Sequence, residues 1–271
     1  VNSHRPVPLV ITLLILAAVA ALPCPGQERT RDYIGGAFGG SDFHIRDDHA
    51  SPLIFSAWGI APTLQFMHAG EKSRHYFEAS YSPANLMTTP DNFTTQGWIG
   101  KGRYAFLLAI AEFGGPGRPF TLFLGGSLSS FVSSSHYYYF IKPFNGYSSS
   151  IDSWYWSHSL DVALQLEYGI AEREFLFLQC CLPLLSNVSR PQYSPSGDYS
   201  YTENEWKMKV FGRTEFFPKN FSCDLLLAFQ VPVVWMLNFQ VSYEFFVASY
   251  DVPRDVTMYM NAARAGIFFC F

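Results

Sequence analysis

The chain has 271 residues, a formal net charge of −4 and a pI near 6.0, with 15% charged and 18% aromatic residues. Soluble domains carry about 25% charged residues, so the surplus of Phe and Tyr argues against an ordinary water-facing surface. The absence of a basic cluster argues against nucleic acid as a partner.

After His4 and Arg5 the run Leu9 to Leu22 is unbroken apolar sequence, closed by Pro23, Cys24, Pro25 and Gly26. A basic start, a short apolar run and a small-residue boundary predict a secretory signal peptide over residues 1 to 26. The run is too short for a comfortable helical span. The remainder, 27 to 271, reads as one domain built from segments of period two, in which successive side chains face opposite ways.

Asp32 to Gly40 is the first predicted strand, followed by a polar loop over about 41–52. The second runs from Leu53 to Ala69, with Trp58, Ile60 and Leu64 on one face and Gly59, Ala61 and Thr63 on the other. A turn at Gly70 to Arg74 leads to a third strand from His75 to Leu86, then a loop over about 87–97. The fourth, Trp98 to Phe113, alternates less cleanly than the others. A turn near Gly114 precedes the fifth strand, Phe120 to Ser134, and a Tyr- and Ser-rich loop covers about 135–152. The sixth is the clearest: Trp154, Trp156, His158, Leu160, Val162 and Leu164 oppose Tyr155, Ser157, Ser159, Asp161, Ala163 and Gln165.

Strand seven spans Glu174 to Ser186. The longest loop, about 187–220, has room for a hairpin around Trp206 to Phe217. Strands eight (Phe221 to Val231) and nine (Trp235 to Tyr250) meet at a turn through Pro232. Although Leu225 to Val241 is apolar, its period of two and the residues Gln230, Pro232 and Asn238 argue against a helix there.

The last segment, VTMYMNAARAGIFFCF, places Ala263, Ala265, Ile267, Phe269 and Phe271 on one wholly apolar face and Arg264 on the other. It resembles the closing strand of bacterial outer-membrane β-barrels. That resemblance implies an assembly signal at Ile267, Phe269 and Phe271, read by the barrel-assembly machinery. The closing strand and LPLLSNVSRPQYS (Leu182 to Ser194) together resemble small barrels of the Bacteroidota, a likeness that supplies no catalytic residues.

The expectation is therefore an all-β, antiparallel transmembrane barrel of ten strands, or twelve if the Trp206 to Phe217 segment and a partner also cross. Short and long connections alternate, as the two ends of such a barrel require. The place expected for it is the bacterial outer membrane, with lipid and lipopolysaccharide as surroundings. The role expected is structural or that of a narrow passive pore.

On this phasing Glu78, Asp161, Glu167, Asp224, Glu244 and Arg264 face inward. They are either an ion-paired plug or the lining of a mildly acidic conduit, because charges in a narrow interior must be paired or hydrated. His44, Asp47, Asp48 and His49, in the first outer loop, are the candidates for an alternative: an outer-membrane hydrolase, lipid-cleaving or protease-like, with Asp and His activating water at the rim. His158 and Ser159 cannot form a dyad, since neighbours on a strand face opposite sides. The cysteines outside the signal describe neither a disulfide framework nor a zinc site. No metal and no cofactor are expected.

Overall fold

The computed structural model describes residues 30–48, 51–88, 93–114, 120–140, 148–171, 174–191, 212–234, 236–252 and 254–271. The signal-peptide expectation, His49, Trp235 and most of the 187–220 loop lie outside the described residues.

Among the described residues, twelve strand segments form one antiparallel sheet: β1 (Arg31–Asp47), β2 (Ser51–Ile60), β3 (Thr63–Ala69), β4 (Ser73–Pro83), β5 (Phe93–Phe113), β6 (Phe120–Phe140), β7 (Ser148–Ala171), β8 (Glu174–Ser189), β9 (Arg213–Phe216), β10 (Asn220–Val234), β11 (Leu237–Tyr250) and β12 (Val256–Cys270). The circuit runs β1, β3, β4, β5, β6, β7, β8, β10, β11, β12 and closes where β12 pairs with β1. It is a closed ten-strand β-barrel. Closure gives each of these ten strands a neighbour on both sides, which a sheet crossing lipid requires.

The two extra segments continue broken staves. β1 pairs with β3 over Arg31 to Ala37 and with β2 over Gly40 to Asp47. The predicted second strand is thus interrupted at Ala61 and Pro62, where proline offers no ladder donor. Likewise β8 pairs with β10 near the terminal end and with β9 near the other. The four described residues of β9 join this stave and do not form a separate hairpin.

Several expected loops are shorter than predicted. β1 runs on to Asp47, so His44 and Asp47 sit in a strand and not in a loop over 41–52. β6 and β7 likewise extend into the 135–152 interval, where Tyr137 turns inward and packs edge-on against Phe55 at 5.0 Å. Period two continues across these stretches, but their Ser and Tyr content disguised it.

The outer surface is an apolar belt, with Leu124, Leu128, Leu160, Leu164, Val241 and Ile267 exposed. Stacked aromatics edge it: Tyr81 on Trp98 at 6.2 Å toward one rim and Phe120 on Tyr168 at 4.3 Å toward the other. Such girdles lie where lipid gives way to water. At the closing seam Gly39 lets β1 and β12 come together, because a Cβ there would fall onto the Ala263 carbonyl oxygen, 2.6 Å from Arg264 Cα.

Candidate functional site: the charged lumen

Inward side chains fill the barrel in three tiers. Nearest the termini is an apolar cluster that includes Tyr33, Tyr76, Leu107, Phe123, Phe177 and Leu226. A second, including Phe43, Phe55, Leu86, Phe131, Phe246 and Met258, fills the opposite end. Between them lies a ring of charge.

The ring starts at Glu78 on β4, whose Oε2 is 3.7 Å from Arg103 Nη2. Arg103 Nη1 donates to Asp224 Oδ2 at 3.0 Å, and that oxygen is 2.5 Å from Lys101 Nζ. Lys101 also pairs with Glu244. Glu244 Oε2 lies 2.6 Å from Arg264 Nη2, and Arg264 Nη1 returns to Glu78 Oε1 at 3.6 Å. Each member touches two groups of opposite sign, and all six are at most 7% exposed. In a water-poor interior this is how charges persist, since an unpaired one costs several kcal/mol. Neutral groups extend the ring: Tyr76 donates to Glu78 at 2.5 Å, Gln65 to Glu78 at 3.0 Å and Gln240 to Gln65 at 3.1 Å.

Asp161 stands beside the ring. Its Oδ2 accepts from Ser127 at 3.0 Å and Ser129 at 2.5 Å. Glu167 lies nearer the termini, gripped by Arg74 through Nε at 3.0 Å and Nη2 at 2.7 Å. Every inward charge expected from the sequence therefore faces the lumen. Glu78, Asp224, Glu244 and Arg264 come together, whereas Asp161 and Glu167 sit in separate hydrogen-bonded groups.

Lys101 and Arg103 complete the ring and are not among the residues that the sequence pattern singles out. Both belong to β5, whose register slips between Ala109 and Ala111. The bulge reverses the alternation partway along the strand, blurring a pattern that is regular from Ile99 to Leu107. The readable signal was Lys101, Arg103, Ala105 and Leu107 against Gly100, Gly102, Tyr104 and Phe106.

The described rim candidates, His44, Asp47 and Asp48, do not converge. Asp47 faces inward, where Arg190 Nη2 donates to its Oδ1 at 2.6 Å and Ser153 to its Oδ2 at 2.6 Å. Arg190 also holds the carbonyls of Val252 at 3.2 Å and Arg254 at 2.5 Å, tying β1 to the β11–β12 connection. His44 faces outward, 2.8 Å from Asp42 and stacked on Tyr259 at 4.3 Å. Asp48 pairs with Arg46 at 2.9 Å. The cluster is split by strand alternation, which sends Asp47 to one side of the wall and His44 to the other.

No protein-family model matches the chain, and no curated protein matches it. Among solved structures it is similar to the outer membrane protease OmpT from Escherichia coli, at 9% identity and a TM-score of 0.53, covering 93% of this chain and 99% of that one. Neisserial surface protein A gives 10% identity and 0.39, covering 88% and 96%. The attachment invasion locus protein Ail of Yersinia pestis gives 9% and 0.37, covering 90% and 100%. At 9% identity the likeness to the Escherichia coli structure is one of fold, and that fold is the outer-membrane β-barrel.

Proposed function

We propose that this chain is an integral outer-membrane barrel with a sealed lumen, serving as a structural and surface-presenting element and not as a pore. The observation that carries this reading is the closed ring of ion pairs between two apolar clusters. A permeating ion would have to separate doubly partnered charges and then cross packed aromatic side chains, and nothing in the ring would repay that cost. Lipid and lipopolysaccharide would surround the apolar belt. The closing strand, with Ile267, Phe269 and Phe271, would present the assembly signal.

A rim hydrolase finds less support. A water-activating pair needs Asp and His aimed at one point, and the described rim spends Asp47 on Arg190. The protease activity of the Escherichia coli structure is therefore not carried across.

Planar-bilayer recording on the refolded protein tests the reading. No steady conductance is expected from the wild type. A steady, cation-preferring conductance that drops in Glu244→Gln and Asp224→Asn would refute the sealed lumen and make those residues its lining.

A further inference from the structure

The outer wall carries a polar row where an apolar one belongs. Across β5 to β9 the register aligns Gly102 with Ser130, Ser130 with His158, His158 with Asn187 and Asn187 with Thr214. One row toward the termini, Tyr104, Leu128, Leu160 and Leu185 follow in the same order. One row the other way lies Trp156. The small side chains of Gly102 and Ser130 leave a depression of about 530 Å3 between these rows. That volume is within the usual span for a small-molecule site, roughly 300–1,000 Å3.

Part of its hydrogen-bonding capacity is unspent. Ser130 Oγ lies 2.9 Å from His158 Nδ1. A neutral imidazole accepting that proton carries its own on Nε2, leaving a donor. Asn187 Oδ1 is a buried acceptor with no partner, and Thr214, which carries a hydroxyl, also lines the depression. Arg103 borders the depression through its backbone, while its guanidinium turns into the lumen onto Asp224. The site thus offers donors, an acceptor and an apolar wall, but no fixed cation with which to hold a phosphate.

We propose that this depression binds one membrane lipid through an amide-linked or hydroxylated acyl chain. The amide N–H or hydroxyl donates to Asn187 Oδ1, the carbonyl accepts from His158 Nε2, and the alkyl chain lies over Leu128, Leu160 and Leu185. A plain ester could satisfy the donors but not Asn187, because it has no proton to give. Membrane lipid is the occupant because the depression is continuous with the apolar belt and lies just inside the aromatic girdle. This inference rests on the membrane-barrel reading above.

The refolded barrel is offered ceramide and, at equal chain length, a diacylglycerol whose free hydroxyl is acetylated, and retained lipid is counted by native mass spectrometry. One ceramide per barrel is expected, preferred about fivefold, the worth of one net hydrogen bond. Asn187→Leu should bring the ratio close to one and His158→Leu should lower the retention of both lipids alike, while the heat-modifiable band persists, since leucine suits a lipid-facing position. Equal retention by the wild type, a preference surviving Asn187→Leu, or a dimer that buries this face without lipid would overturn the proposal. Loss of the heat-modifiable band in the wild type would instead sink the barrel reading on which it rests.

Discussion

Replacing Lys101 with Met tests the charge ring most directly. The ammonium serves Asp224 at 2.5 Å and also Glu244, and lies over the Phe246 ring, 5.2 Å from its centroid. Methionine fills most of the same space and removes the charge, and with it the cation–π contact. Asp224 would retain Arg103, and Glu244 would retain Arg264. The middle tier, however, would pass from four carboxylates (Glu78, Asp161, Asp224, Glu244) facing three cations to four facing two. Breaking a buried pair costs about 3–5 kcal/mol, and the surviving partners place this change near ~3 kcal/mol. Adding Glu244→Gln restores the balance, so the double variant should lie within about 1–2 kcal/mol of wild type, with a coupling of at least ~2 kcal/mol. Equilibrium urea unfolding of the refolded barrel, followed by tryptophan fluorescence, reads these differences as midpoint shifts at constant slope. A single-variant cost under about 0.5 kcal/mol, with additive effects in the double, would refute the claim that paired charges hold the lumen together.

Two further outcomes are expected. Arg190→Met strips the buried Asp47 carboxylate of its guanidinium and releases the Val252 and Arg254 carbonyls. A loss of about 2–3 kcal/mol and faster protease cutting near Val252 should follow, partly reversed by adding Asp47→Asn; unchanged cutting would count against a rim locked by Arg190. Gly39→Ala should cost at least ~2 kcal/mol in the same unfolding assay, because its Cβ would meet the β12 backbone. Gly36→Ala, whose Cβ would lie 3.6 Å from the Thr63 carbonyl oxygen, should be close to neutral. Equal costs would show that the seam does not depend on the Gly39 contact.

Sequence alone determined the architecture and the two faces of most staves. Period two is a local property: once Trp156, His158 and Leu160 alternate with Ser157, Ser159 and Asp161, the pleat fixes which set faces lipid and which the lumen. The inward placement of Glu78, Asp224, Glu244 and Arg264 followed from that alone. Local pattern failed where the ladder was irregular. The slip after Ala109 concealed Lys101 and Arg103, and the break at Ala61 and Pro62 divided one stave into two.

Tertiary structure decided which charges meet, because partners on β4, β5, β10, β11 and β12 lie far apart in the chain and become neighbours only on closure. It likewise split the His44 to Asp48 cluster across the wall and set Ser130 beside His158. In a barrel, strand phase is written residue by residue. The shear that aligns one strand with the next is set by the whole circuit, and no single segment encodes it.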